Sequence, residues 1–179
     1  MVNSPKKFNK TRYLVLESQQ KKPLLQELYE ISESPQWLYL FADTDWQAYL
    51  KDGPILLEAG QDSAEYRWAL KGLKQERLTG LVLESSKELD VVANWLRERL
   101  TVCFEGQRKG LLRFYDPLIW HQLKPQSKPV AVVIERAIYW YEELGEQRWL
   151  TTENPEPIAI SPAPSLDEQQ WLELNATSA

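Results

Sequence analysis

Short apolar runs alternate with amphipathic segments along the N-terminal part of the chain, and this pattern predicts strands separated by helices. Four runs have the length and composition of strands, at positions 13–16, 36–41, 54–57 and 78–83. The run at 36–41 is apolar on both alternating faces, as expected for a strand covered on both sides. Helices are predicted between the runs, where a proline or a polar capping residue precedes apolar residues at helical spacing.

The clearest predicted helix follows Ser85, which stands three residues before Glu88 in the spacing of a capping box. After this helix, strands at 100–104 and 110–115 are joined by a short charged loop. They predict an antiparallel hairpin that joins the sheet. The predicted fold class is therefore α/β, with a mixed β-sheet flanked by helices.

We predict the main α/β domain at residues 12–124, after a flexible N-terminus at residues 1–11. The C-terminal part of the chain differs from this domain in composition. Residues 125–152 are β-rich and predict a small β-hairpin appendage. Residues 153–164 are rich in proline and predict an extended linker. Residues 165–179 predict a short C-terminal helix, which is either complete or the stump of a helical lobe. Because such a short helix is unstable alone, we expect it to dock on the body or on another chain.

Charge and composition narrow the classes of partner. The formal net charge is −5 at pH 7, which gives no overall attraction to nucleic-acid phosphates or anionic lipids. Residues 1–10 are polar, unlike a signal peptide, and no apolar run reaches the roughly 18 residues needed to span a membrane. The single cysteine, Cys103, cannot form an internal disulfide. We therefore expect a cytoplasmic protein with no nucleic-acid partner and no membrane partner.

The chain holds eight Trp and eight Tyr against one Met and one His. Large aromatic side chains stabilise cores, and they also anchor protein–protein interfaces. We assign most of them to the core and expect some to stay exposed for binding a partner. The candidate partner-binding residues are Trp37, Trp120, Tyr139, Tyr141, Trp149 and Trp171.

Candidates for catalysis are few. Histidine is the usual general base near neutral pH, but no nucleophile motif accompanies His121. Cys103 lies inside an apolar strand, where burial makes a thiol inert. The sequence has no metal-ligand spacing and no glycine-rich phosphate loop, so we expect no cofactor and no metal. A small hydrolase that uses Asp116 and His121 remains the enzymatic alternative.

The most informative segment of the sequence is Arg113-Phe114-Tyr115-Asp116-Pro117. Strand alternation places Arg113 and Tyr115 on one face, among apolar neighbours. A buried guanidinium needs a partner, so we expect Arg113 to pair with an acid from an adjacent strand, either Glu84 or Glu17. Asp116 precedes a proline at the first helical position, and we expect it to cap that helix. A functional role for Asp116 at a strand end is the alternative.

This five-residue segment, which follows a strand and a charged hairpin, resembles the hallmark of the type VI secretion adaptor family, also called effector chaperones. The order of other features is similar over residues 12–124: an apolar strand at 13–16, Gly53-Pro54 before a strand, and the helix after Ser85. The resemblance implies a non-enzymatic bacterial adaptor. Such a protein binds a toxic effector in the cytoplasm and helps to load it onto the VgrG spike, sometimes through a PAAR tip protein.

Two features depart from the family pattern. Leu118 stands after the motif proline, where family members often have arginine, and the chain ends soon after Trp171, where many continue into a helical lobe. Binding that depends on such a lobe is therefore not implied. An immunity-type or structural protein-binding module, which would block a toxin instead of delivering it, remains an alternative.

Overall fold

The computed structural model describes residues 10–103, 108–123, 133–155 and 168–175. The elements in these ranges follow one another along the chain. They are β1 (Thr11–Ser18), α1 (Leu24–Ile31), β2 (Gln36–Tyr39), a 3-10 turn (Gln47–Tyr49), β3 (Ile55–Glu58), α2 (Ala64–Lys74), β4 (Leu78–Ser85), α3 (Leu89–Arg97), β5 (Thr101–Cys103), β6 (Lys109–Leu111), α4 (Pro117–Leu123), β7 (Arg136–Glu143), β8 (Glu146–Glu153) and α5 (Glu168–Asn175).

Six strands form one sheet in the order β2-β3-β1-β4-β7-β8, and the predicted α/β class is confirmed. Each neighbouring pair is antiparallel. Two helical connections explain this order, because β1 reaches β2 through α1 and β3 reaches β4 through α2. Each connection passes over one strand, so the strands that a helix joins run in the same direction while the strand between them runs in the opposite one. Both directions therefore occur, although no two parallel strands are neighbours within the described residues.

Helices cover both faces of this sheet. In β1, the consecutive residues Tyr13, Leu14, Val15 and Leu16 are all buried, which requires packing on both alternating faces. One face packs against α3, α4 and the β5–β6 hairpin, and the other packs against α1 and α2. The apolar runs in the sequence therefore correspond to strands of a central sheet that lies between two outer layers.

Both predicted hairpins are present, but their positions relative to the main sheet are the reverse of those expected. The strands predicted at 100–104 and 110–115 form the short pair β5–β6, which is a separate two-stranded sheet and does not join the main one. Val102 and Leu112 are buried in the core layer beside α3 and α4, so this hairpin covers the sheet. The hairpin predicted as an appendage at 125–152 is present as β7 and β8. Its first strand pairs with β4, which makes the hairpin the edge of the main sheet.

Helix starts depend on local side chains, and the capping box predicted after Ser85 does not form. The hydroxyl of Ser63 accepts a hydrogen bond from the N–H of Tyr66 at 3.1 Å and caps α2. At α3 the N-cap position is Glu88, without a side-chain cap bond. Ser85 instead accepts from the N–H of Lys87 at 3.0 Å and donates to the carbonyl of Val133, so it closes the end of β4.

The C-terminal helix α5 contacts α4, which gives it a surface on the main body. Leu172 within it is 61% exposed, so α5 keeps an apolar side chain in solvent. Most of the predicted linker, residues 156–164, lies outside the described residues, as does the side chain of Trp171. In the part of the chain that the structure describes, no helix has the length and apolarity needed to cross a membrane.

A close approach of β1 and β4 gives the first testable prediction. A Cβ atom at Gly80 would overlap the carbonyl oxygen of Val15 in the neighbouring strand. We expect Gly80→Ala to lower the free energy of unfolding by about 1–3 kcal/mol, because backbone in a sheet centre cannot yield easily. Gly60→Ala is the matched control, since nothing lies within 4 Å of a Cβ there. Urea unfolding of both variants checks this, and equal stability of the two would contradict it.

Candidate functional site

A carboxylate near the end of β1 holds the five-residue motif in place. The Glu17 side chain is mostly buried and forms an ion pair with Arg113. The hydroxyl of Tyr115 donates to the other carboxylate oxygen of Glu17 at 3.2 Å. Of the two acids expected to pair with Arg113, Glu17 is its partner. Glu84 instead pairs with Arg12 at 3.1 Å and also with an arginine that lies on β7. The motif loop is thus tied to β1, the third strand of the sheet.

The remaining motif residues fix α4. Phe114 and Tyr115 are fully buried, with ring centroids 5.9 Å apart. Asp116 accepts a hydrogen bond from the N–H of Leu118 at 3.0 Å through its side chain, and from the N–H of Trp120 at 2.8 Å through its carbonyl. The predicted cap is therefore present. Each polar side chain of the motif has a partner inside the fold.

A cleft of about 590 Å³ opens beside this motif, between β4 and β7. Its walls come from the end of α2, the start of β4, the start of α4 and the outer half of the β7–β8 hairpin. The lining residues are Gln19, Leu73, Glu76, Leu78, Thr79, Asp116, Pro117, Leu118, Trp140, Tyr141, Glu142 and Gln147. The cleft is of the size at which proteins bind small molecules or short peptide segments.

The charged lining of the cleft is acidic. Three carboxylates face it, from Glu76, Asp116 and Glu142, and lysine and arginine are absent from its described lining. Gln147 donates to Glu76 at 3.3 Å across one end. The aromatic wall is Trp140, whose indole nitrogen is buried without a hydrogen-bond acceptor among the described residues. The cleft therefore combines an acidic rim with an aromatic wall.

The single histidine lies next to the cleft but does not line it. The His121 ring stacks on Tyr141 with centroids 4.1 Å apart and an interplanar angle of 16°. Its Nδ1 atom lies 3.0 Å from the hydroxyl of Tyr139, and burial raises the pKa of that tyrosine. Asp116 lines the cleft and His121 does not, so the pocket required by the hydrolase alternative does not bring both together. Among the described residues, no group of three or more potential metal ligands occurs.

Two of the candidate partner-binding aromatics are in the core. Trp120 is fully buried and its indole donates to Thr152 at 3.3 Å, because the capped helix α4 turns Ile119 and Trp120 towards the sheet. Tyr139 is buried because the odd-numbered residues of β7 face α4. These two side chains are therefore not among the candidates that stay exposed, whereas a different residue of α4, Leu118, is 41% exposed.

Three other candidate aromatics are half-buried. Trp37 packs edge-on against Tyr39 at 4.8 Å and donates to Tyr29 at 3.1 Å. Trp149 packs against Trp140 at 5.1 Å. Tyr141 contributes to the cleft, as described above. The side chain of Trp171 lies outside the described residues, so its partner-binding role stays a prediction.

Several cleft residues carry no signal in the sequence. Trp140, Glu76 and Gln147 meet because β7 lies next to β4, and that strand order does not follow from the apolar pattern. The adjacent acids Glu142 and Glu143 look like ordinary surface charges in the sequence. In the structure they separate, since Glu142 lines the cleft while Glu143 pairs with an arginine of β8.

A comparison with protein-family models matches residues 12–131 to a family described as Domain of unknown function (DUF4123). The matched range contains the five-residue motif, Glu17 and the α4 wall of the cleft. Comparisons with curated proteins and with solved structures gave no match.

The cap at α4 leads to a second prediction. Asp116→Ala removes the acceptor for the N–H of Leu118, and we expect a loss of about 1 kcal/mol in the free energy of unfolding. Asp116→Asn, whose side chain also caps helices well, should retain most of the stability. Thermal and urea unfolding check both variants. If Asp116→Ala leaves stability unchanged but abolishes a measurable activity, the architectural role is incorrect.

The motif tyrosine leads to a third prediction, in alkaline solution. Burial, followed by the nearby Glu17 carboxylate, raises the pKa of Tyr115 well above its usual range. The folded protein therefore keeps this hydroxyl protonated at pH values where the unfolded chain, with a pKa near the ordinary value of about 10, releases the proton. The stabilisation is fully present below pH about 10. It is lost at up to about 1.4 kcal/mol per pH unit as the pH rises towards the folded-state pKa.

Urea unfolding between neutral pH and pH about 11 measures this effect when the wild type is compared with Tyr115→Phe. The variant lacks the titrating hydroxyl, so its stability should fall less steeply above pH about 10. Parallel curves for the two proteins in that range would show that Tyr115 does not contribute to the alkaline loss.

Proposed function

Because the chain belongs to the DUF4123 family of domains of unknown function, we propose that it is a non-enzymatic adaptor of the type VI secretion system. In this proposal it binds one effector in the bacterial cytoplasm and helps to load that effector onto the VgrG spike or its PAAR tip. The observation that carries the proposal is the segment Arg113-Phe114-Tyr115-Asp116-Pro117 inside the family match, since it is the hallmark by which the chain resembles these adaptors.

The state of the motif side chains supports a binding role. Arg113 and Tyr115 are engaged with Glu17, and the Asp116 side chain accepts the N–H of Leu118. A catalytic group has to reach a substrate with an available proton, lone pair or charge. These polar groups instead hold the loop and the helix, as expected of a motif that preserves the shape of a binding scaffold.

The surface also supports a protein partner. Exposed apolar side chains occur on several elements: Tyr29 on α1, Tyr49 in the 3-10 turn, Leu118 on α4 and Leu144 at the tip of the β7–β8 hairpin. Scattered exposed apolar residues are normal, but Leu118 and the hairpin lie at the cleft, where an aromatic wall meets carboxylates. A partner that covers this region would bury apolar surface and satisfy charge together.

Delivery of one effector is the measurement that tests the proposal. Deleting the gene in its native bacterium should abolish secretion of the effector encoded beside it, while the secretion apparatus still assembles and releases its tube protein. Restoring the gene should restore delivery. The tagged protein should also co-purify with that effector when the two are co-expressed. Normal delivery of every effector in the deletion strain would overturn the adaptor function.

The same strains separate an adaptor from an immunity-type binder. An adaptor does not need to inhibit its effector, so its expression in a susceptible target cell should give no protection. A protein that protects the target cell and whose loss poisons the producing cell would be an immunity protein.

A further inference from the structure

The turn of the β7–β8 hairpin carries an apolar side chain in an unfavourable place. Leu144 and Gly145 form the two-residue connection between the paired residues Glu143 and Glu146. The φ angles of Leu144 and Gly145 are 55° and 81°, and a hairpin turn with both φ angles positive favours asparagine followed by glycine. Leu144 is also 100% exposed. A branched apolar side chain that is both strained and fully in water does not help the hairpin to fold, so it indicates a binding role.

The residues around this leucine are acidic, and residues 142–146 are called the hairpin tip below. Glu142, Glu143 and Glu146 flank the turn. Glu143 pairs with Arg148, whereas neither Glu142 nor Glu146 forms an ion pair with another described residue. The hairpin tip is therefore a projection with one apolar side chain and two uncompensated carboxylates. A surface that fits it has to combine an apolar contact with cations.

A groove with these properties lies further along the same hairpin, between α2 and β8. It has a volume of about 420 Å³. Its lining residues are Arg67, Leu70, Lys71, Lys74, Gln75 and Trp149. Leu70 and Trp149 are half-buried and supply its apolar surface. Because its described lining includes three cations and no carboxylate, it is called the basic groove below.

The three cations of the basic groove lack an acidic partner. Arg67, Lys71 and Lys74 share one face of α2, since they are spaced at i, i+4 and i+7. Within the described residues none of them forms an ion pair. Arg67 donates to the carbonyl oxygen of Asp62 at 2.9 Å, and the Lys74 ammonium lies 5.3 Å from the centre of the Trp140 ring. In a chain with 26 acidic and 21 basic residues, such a group of cations indicates an anionic partner.

The hairpin tip cannot reach the basic groove of its own chain. Leu144 and Trp149 lie on one hairpin, and β8 extends from the turn at about 3.3 Å per residue, so the two are roughly 15 Å apart. Bending the tip back would break the pairs that hold β7 to β8. A second copy of the chain does bring a tip of matching chemistry to the groove. In a twofold arrangement the tip of each copy meets the groove of the other, which uses both contacts and closes the assembly.

We propose that two copies of this chain associate through their β7–β8 hairpins, with Leu144 of each copy inserted into the basic groove of the other, against Leu70 and Trp149. The carboxylates of the hairpin tip then face the cations of α2. Because the contact involves few side chains, it is small for an obligate dimer, and the association is reversible and depends on concentration. The inference goes beyond the proposed function and does not rest on it.

Sedimentation equilibrium of the whole protein, from micromolar to millimolar concentration, tests the apolar part of the contact. The wild type should shift from the mass of a monomer to that of a dimer. Leu144→Asn places in the turn a residue that a positive φ favours, so its thermal unfolding should occur at the same temperature or higher. The same variant removes the apolar anchor and should weaken dimer formation by at least about tenfold. A purely structural leucine would not separate these two measurements.

A pair of charge reversals tests which surfaces meet. Lys71→Glu in the groove and Glu146→Lys in the tip should each weaken self-association by about threefold or more, because each places like charges opposite one another. An equal mixture of the two variants should recover association, since every contact in the mixed pair is then between opposite charges. Lys87→Glu makes the same change at an exposed lysine outside the groove and should dimerise as the wild type does. All three side chains are exposed, so circular dichroism should show unaltered folding.

The proposal is overturned if the wild type stays monomeric over this range, if Leu144→Asn dimerises as the wild type does, or if the mixture associates no better than either variant alone. A monomeric protein whose Leu144→Asn variant no longer co-purifies with the effector would assign the hairpin tip to the effector instead of a second copy. The adaptor function is measured by effector delivery and not by sedimentation, so failure of one proposal is distinguishable from failure of the other.

Discussion

The arrangement of the molecule depends on one desolvated carboxylate, Glu17. A mostly buried carboxylate is costly unless it is paired and hydrogen-bonded, and this one has both an arginine and a tyrosine hydroxyl as partners. Arg113 and Tyr115 lie almost one hundred residues further along the chain than Glu17. Both partners reach the carboxylate only if the loop after β6 lies against β1 at a fixed place. Removing one partner would leave a buried charge, which gives the motif little freedom to vary in position.

The position of that loop determines the cleft. Asp116 follows Tyr115 directly and starts α4, so the helix begins where the ion pair places it. The buried face of α4, with Ile119 and Trp120, packs against β7, while Leu118 at its start remains at the cleft. One side of the cleft is thus set by the motif, and the opposite side is set by the end of α2. A scaffold motif and a binding surface can therefore share one segment.

Much of the fold could be predicted from the sequence, because apolar periodicity reports directly on burial. The strands at 13–16 and 78–83, the pairing of Arg113 with an acid, and the cap at Asp116 all depend on local pattern. The places of the two hairpins and the burial of Trp120 and Tyr139 depend on strand order and on which helix face meets the sheet. The cleft depends on where a ladder ends. These are long-range properties that no local pattern encodes.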